Sequence, residues 1–251
     1  VSRKGTVVRI VVIGGTGRIG SQVVELLRAE GHDVLAASPS GGVDTVSGEG
    51  VADAVAGADV VVDVSNSPSF ADDDVLHFFT TSTGHLLAAE AAAGVRHHVV
   101  LSIVGADGID AGYMRAKVAQ ERLVHESGVG WSVVRATQFH EFVTAIADGS
   151  TVDGVVRIPP VAFQPVAAAD VARAVADVAA GEPAGTVEIA GPERLRFDEV
   201  VRDALAARGD TRAVVADPAA PYFGAVLAEG SLVPAGEARL GTVTFAQAVH
   251  A

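Results

Sequence analysis

The chain has 251 residues, a formal net charge of −13 and no cysteine. That excludes a disulfide framework, a thiolate nucleophile and a cysteine metal site, and the acidic balance argues against a nucleic-acid partner, which needs a basic footprint. Hydrophobic residues make up 49% and aromatics only 5%, which favours parallel strands buried under Ala-rich helices over an all-β sandwich.

The first fifteen residues, "VSRKGTVVRIVVIGG", place basic residues before an apolar run, the outline of a signal peptide. Arg9 interrupts the run, and it ends in a glycine loop rather than a small-residue cleavage site. No apolar stretch reaches membrane-spanning length. The expectation is a cytoplasmic protein, monomer or homodimer, with no membrane partner and a small-molecule substrate.

Val7 to Ile13 is a short β-branched run, as expected of a strand buried on both faces. Glycines at 14, 15, 17 and 20 follow, then "SQVVELLRAEG", apolar at helical spacing and stopped by Gly31. "HDVLAAS" reads as a second strand, "VDTV" as a short third and "DVVVDV" (59–64) as a fourth, preceded by the brief helix "GVADAVAGAD". The acidic run at 71–74 predicts a dipole-compensating start for a helix to about Ala93, ended by Gly94. His97 and His98 open the fifth strand, "HHVVLSIVG"; residues 112–127 form a helix, and "WSVVRA" is the sixth strand. "IPPVAFQPVAAAD" is Pro-rich and loop-like, with Asp170 as N-cap of the helix "VARAVADVAAG". "GTVEIAG" gives a further strand and "FDEVVRDALAARG" a further helix. Strands alternating with helices at this interval imply βαβ units, hence an α/β, doubly wound parallel sheet (Rossmann fold) with a small C-terminal substrate-side lobe. Residues 1–150 would form the NAD(P)-binding core, and 151–251 the remaining core elements and the lobe, in one compact unit.

Gly14, Gly17 and Gly20 follow the first strand and open the first helix. There, glycines let the backbone turn sharply and approach a pyrophosphate, while the helix N-terminus offers N–H groups and positive dipole. NAD sites place a carboxylate near the end of the second strand; here that position reads "LAASPSGG". Ser38 and Ser40 can instead donate to a 2′-phosphate, with charge from Arg18, so NADP(H) is preferred and NAD(H) possible.

"YMRAK" places Tyr113 four residues before Lys117 in a chain with two tyrosines and two lysines. Chance spacing would give roughly 0.02 such pairs. Sixteen of the eighteen basic residues are Arg, so Lys117 stands where a compact ammonium, not a planar guanidinium, is wanted. On one helix face the two can couple: a nearby cation stabilises the phenolate that a tyrosine acid leaves behind.

The loop "GGTGRIG", the strand end "LSIVG", "YMRAKVAQERLV" and "WSVVRATQFHEF" come in the order seen in the NmrA-like members of the atypical short-chain dehydrogenase/reductase superfamily, and the chain resembles that family from residue 7 to about 190. The resemblance implies that Gly14, Thr16, Gly17, Arg18, Ile19 and Gly20 cradle the pyrophosphate. Asp63, Val64, Ser65 and Asn66 would line the adenosine and ribose side, and Lys117 would reach the nicotinamide ribose. Ala136, Thr137, Gln138 and Phe139 would border the nicotinamide, with His140 nearby. Ser102 would hold the substrate oxygen as the superfamily's serine does; a strand-end hydroxyl bonding backbone is the other reading. Two departures stand out: no basic residue follows the second strand, and the sixth ends "RAT" where many relatives carry Arg-Pro.

Gln138, Phe139, His140, Phe142, Phe163 and Gln164 would give the substrate pocket an apolar lining with few polar groups, suited to a flat acceptor. The expected activity is NAD(P)H-dependent reduction of a quinone or small carbonyl compound, with Tyr113, Lys117 and Ser102 catalytic. A quinone could also take its proton from water without Tyr113, and a non-catalytic NADP(H)-binding sensor is the alternative from another class.

Overall fold

Continuous β-branched apolar runs belong inside a parallel sheet, where both faces are covered, and the computed structural model places them there. It describes residues 7–249; the basic start of the signal-like stretch, residues 1–6, lies outside them. The elements in chain order are β1 (Arg9–Ile13), α1 (Arg18–Ala29), β2 (Asp33–Ala37), α2 (Val51–Val55), β3 (Val60–Asp63), α3 (Asp72–Ala93), β4 (His97–Ile103), α4 (Gly112–Glu126) and β5 (Gly130–Ala136). There follow α5 (Val143–Gly149), β6 (Thr151–Val152), β7 (Val155–Ile158), β8 (Ala162–Phe163), α6 (Ala168–Ala179) and β9 (Gly185–Ala190). The last are β10 (Leu195–Arg196), α7 (Phe197–Ala207), β11 (Ala213–Ala216), β12 (Arg239–Leu240) and α8 (Phe245–Val249).

The main sheet has seven strands in the order β12-β9-β5-β4-β3-β1-β2. β1 pairs in parallel with β2 on one side and β3 on the other, and β3 pairs in parallel with β4. The winding therefore reverses between β1 and β3. In open α/β sheets the carboxyl ends of strands at such a switch point are where ligands bind.

The chain divides into two compact units. The first comprises the described residues up to Leu101, with Ala116–Val134 and Ala172–Thr186; the second comprises Ser102–Arg115, Arg135–Val171 and the described residues from Val187 on. In the first unit, Val11, Ile13 and Val61 of the strands pack with Val51, Val55 and Leu86 of the helices, all nearly or fully inaccessible. A second cluster joins Leu87, Val100, Val124 and Val133, with Trp131 packed against it. The Trp131 ring lies 4.3 Å, centroid to centroid, from that of His125. In the second unit Phe163 stacks on Phe197 at 4.2 Å, both fully buried.

Three local expectations are corrected. "VDTV" is not a strand: the Asp44 carboxylate accepts the N–H groups of Val46 (2.8 Å) and Ser47 (3.2 Å), an Asx turn that offers the backbone another partner. Asp170 is not an N-cap. α6 begins at Ala168, whose N–H donates to the Glu141 carboxylate at 3.1 Å, while Asp170 accepts from the N–H groups of Thr242 (2.9 Å) and Val243 (3.1 Å). The stretch after Pro160 is not all loop, because Ala162 and Phe163 form β8, antiparallel to β10.

Candidate active site

The first unit carries the glycine loop. Gly14 has φ +76°, a left-handed conformation that favours glycine, and a Cβ there would lie 3.0 Å from the Ser65 backbone at the end of β3. Gly20 lets α1 sit on the loop: its Cβ would meet Gly14 O at 2.1 Å. At Gly17 the only neighbour among the described residues that a Cβ would meet within 4 Å is Gly14 O, at 3.2 Å. Gly17 is exposed and precedes the first turn of α1, whose N–H groups have no partners inside the helix. This is a cradle open on one side, and it fits a dinucleotide pyrophosphate. Thr16 and Arg18 are exposed beside it, and Ile19 points its apolar side chain into the core.

β2 ends at Ala37, and the next turn brings Ser38 Oγ and Ser40 Oγ within 3.1 Å of each other, the first buried and the second exposed. β3 ends at Asp63, which is 1% exposed. Its Oδ1 accepts from Ser65 N (3.0 Å) and Ser65 Oγ (2.6 Å), which shapes the 63–66 turn; Val64 and Ser65 are half-buried and Asn66 exposed.

Lys117, on α4, is 4% exposed. Its Nζ donates to Leu101 O at 2.8 Å and to Gln120 Oε1, and lies 4.3 Å from the centroid of the Phe79 ring. Gln120 Nε2 in turn donates to Asp63 Oδ2 (3.0 Å) and Thr83 Oγ1 (3.1 Å). Burial lowers the Lys117 pKa to about 8, against the opposing pull of the Asp63 and Glu121 charges. Sequence reasoning missed Gln120, Thr83 and Phe79. Gln120 had a signal, since it sits three residues after Lys117 on the same helix face.

The second unit carries the residues expected on the acceptor side. Ser102, near the end of β4, is 3% exposed and its Oγ has no hydrogen-bond partner among the described residues, so there it is not tied to backbone as a strand-end hydroxyl often is. Tyr113 is half-buried at the start of α4, its ring 6.2 Å from that of Phe223. Ala136 and Thr137 are buried; Thr137 is spent on structure, with Oγ1 donating to Gln164 O (2.6 Å) and its N–H to Ile189 O (3.0 Å). Gln138 is buried, and Phe139 is half-buried with its ring 5.5 Å from Phe142. His140 is buried next to Phe245, and burial lowers its pKa. Phe163 is fully buried on Phe197, in the core of the unit rather than at an opening. Tyr222 and Phe223 were missed; Tyr222 is buried, with a phenol raised by burial and pulled the other way by the Gln138 side chain.

His97 and His98, which open β4, are engaged inside the first unit: His97 Nε2 lies 2.8 Å from Ser132 Oγ, and His98 Nδ1 lies 2.8 Å from Glu90. Among the described residues no helix is long and apolar enough to cross a membrane.

Residues 14–182 match the model of the NAD(P)H-binding family. A (4-alkanoyl-5-oxo-2,5-dihydrofuran-3-yl)methyl phosphate reductase of Streptomyces griseus is 34% identical over 210 residues, covering 76% of this chain and 70% of its own. Among solved structures, an NADPH-dependent quinone oxidoreductase from Escherichia coli complexed with NADPH is 20% identical, with TM-score 0.61 over 83% of this chain and 77% of its own. A UDP-glucose 4-epimerase of Thermotoga maritima is 17% identical, with TM-score 0.70 over 96% of each chain. The open glycine cradle at the switch point, the family match and the reductase relative agree: the chain belongs to the NAD(P)H-binding family and has a Rossmann fold.

Proposed function

We propose that the chain is an NAD(P)H-dependent oxidoreductase, preferring NADPH, that reduces a quinone or small carbonyl compound. The observation that carries the acceptor half is Ser102, a buried hydroxyl with no hydrogen-bond partner among the described residues, in the same unit as the half-buried Tyr113. A buried polar group without a partner costs free energy that a substrate oxygen would recover. The reductase relative and the NADPH-dependent quinone oxidoreductase support the reaction class.

When bound, the reduced nicotinamide supplies the hydride. Ser102 Oγ donates a hydrogen bond to the acceptor oxygen and orients it. Tyr113 gives its phenolic proton to that oxygen as negative charge develops there, then regains a proton from solvent. Acceptor, reduced cofactor and one proton thus become the alcohol or hydroquinone and the oxidised cofactor. Lys117 holds positive charge on the helix turn that follows Tyr113, favouring the phenolate and the nicotinamide ribose hydroxyls. Gly14, Gly17 and Gly20 give the pyrophosphate backbone access.

Tyr113→Phe tests this. With an aliphatic carbonyl acceptor it should cut turnover about 10²–10⁴-fold, the usual worth of a positioned acid, and leave NADPH affinity nearly unchanged. An unchanged rate with a quinone would show that acceptor takes its proton from water. No turnover by the parent protein with any acceptor would replace the enzyme reading with that of a nucleotide sensor.

A further inference from the structure

The second unit contains an unbroken series of ring contacts. Phe163 stacks on Phe197 at 4.2 Å, Phe197 meets Tyr222 edge-on at 5.9 Å, Tyr222 meets Phe223 edge-on at 4.8 Å, and Phe223 faces Tyr113 at 6.2 Å with 29° between the planes. The inner three rings are buried, Phe163 and Phe197 fully and Tyr222 to 5% exposure. Phe223 is different, at 48% exposure.

Its backbone is also unusual. Tyr222 and Ala225 exchange two hydrogen bonds (2.8 and 3.0 Å), closing a two-residue turn whose central residues, Phe223 (φ 49°) and Gly224 (φ 91°), are both left-handed. Such turns favour Asn-Gly, because a bulky side chain in the left-handed region is strained. Ala220, Tyr222, Ala225 and Leu227 around the tip are buried and anchor the turn. A phenylalanine in the left-handed region is strained, and strain of this kind clusters at ligand-binding and active sites.

We propose that Phe223 and Tyr113 are the two walls of a clamp for the planar ring of the acceptor, so that the substrate class is a quinone or aryl carbonyl rather than a sugar. A flat π-system needs about 3.5 Å on each face, about 7 Å between the walls, whereas these centroids are 6.2 Å apart; the clamp therefore requires Phe223, at the exposed tip, to move outward as the ring enters. The ring of Tyr113 then binds while its hydroxyl serves as acid, two roles that different substitutions separate. The inference rests on the proposed reductase reading for its chemistry but is tested by binding alone.

Menadione binding to the full chain loaded with NADP⁺ is measured by calorimetry for the parent, Phe223→Asn, Phe223→Tyr, Tyr113→Phe and Tyr113→Leu. Phe223→Asn should fold at least as stably, because asparagine tolerates the left-handed turn, and should bind menadione about tenfold more weakly with NADP⁺ affinity unchanged. Phe223→Tyr and Tyr113→Phe should keep parent affinity, and Tyr113→Leu should lose it as Phe223→Asn does. Equal affinity in Phe223→Asn and parent, or no binding by the parent, overturns the clamp. Ring-dependent binding without turnover upholds the clamp and removes only the reductase reading.

Discussion

The Lys117 ammonium and the Asp63 carboxylate are joined by a single side chain, Gln120, whose oxygen accepts from Nζ and whose nitrogen donates to Oδ2 at 3.0 Å. The link ties α4 to the turn after β3 and holds a cation where burial lowers its pKa to about 8. If that cation serves the nucleotide, NADPH affinity should be level below pH 8 and fall above it by up to tenfold per pH unit. Lys117→Met should weaken binding and abolish the slope. Stability provides an independent check on the same group. Between pH 8 and 10.5 the unfolded chain binds the proton that the folded chain has lost, so stability should rise with pH across that window in the parent and stay level in Lys117→Met. Titrations by fluorescence and denaturant melts at matched ionic strength measure both.

Two glycines of one loop should fail differently. Gly17 has φ −78° and ψ 177°, open to any residue, so Gly17→Val should fold with a near-parental melting transition and lose NADPH binding at least a hundredfold. Gly20→Ala would drive a methyl to 2.1 Å from Gly14 O and should cost about 3 kcal/mol of stability. Retained binding in Gly17→Val would make the loop purely structural.

Cofactor choice follows from the turn after β2. Ser38 and Ser40 stand there without a carboxylate between Leu35 and Gly42, and NADPH should bind about tenfold more tightly than NADH. Ser40→Asp should reverse the order, since a carboxylate repels a 2′-phosphate and bonds ribose hydroxyls. Equal affinities in the parent would remove Arg18, Ser38 and Ser40 from the site.

His97 gives the fold an acid limit. Burial lowers its pKa from 6.5 to about 4, and the hydroxyl of Ser132, which already accepts the Ala184 N–H, has its own hydrogen left for the neutral imidazole Nε2. Above pH 6.5 both folded and unfolded states are neutral there. As pH falls from 6.5 to 4 the unfolded state protonates first, so His97 should cost on the order of 2–3 kcal/mol over that window. His97→Gln should be less stable at pH 7 and lose less on acidification, measured by urea melts at each pH.

The sheet was legible because β1, β3 and β4 are β-branched runs at the spacing of βαβ units, and helix ends carried Gly31 and Gly94. What escaped were choices made by side chains against the backbone: Asp44 diverting "VDTV" into a turn, and Asp170 spending its carboxylate on Thr242 and Val243 far along the chain. The glycine loop was readable because glycine spacing reports backbone geometry directly. The packing of Phe163 was not legible, since an aromatic beside prolines reads the same whether it faces a ligand or, as here, stacks on Phe197. The Tyr222–Phe223 turn lies in a stretch of irregular Pro, Gly and Ser spacing, where no periodicity places it.

The placement of the rare chromophores gives this chain an internal optical divide. Its single tryptophan, Trp131, lies in the unit with the glycine loop, beside His125, while both tyrosines, Tyr113 and Tyr222, lie in the other. Tryptophan emission during denaturation therefore follows one unit and near-ultraviolet tyrosine dichroism the other. Coincident transitions would mark a single cooperative melt, whereas separated midpoints would assign each loss of structure to its own half without any label being introduced.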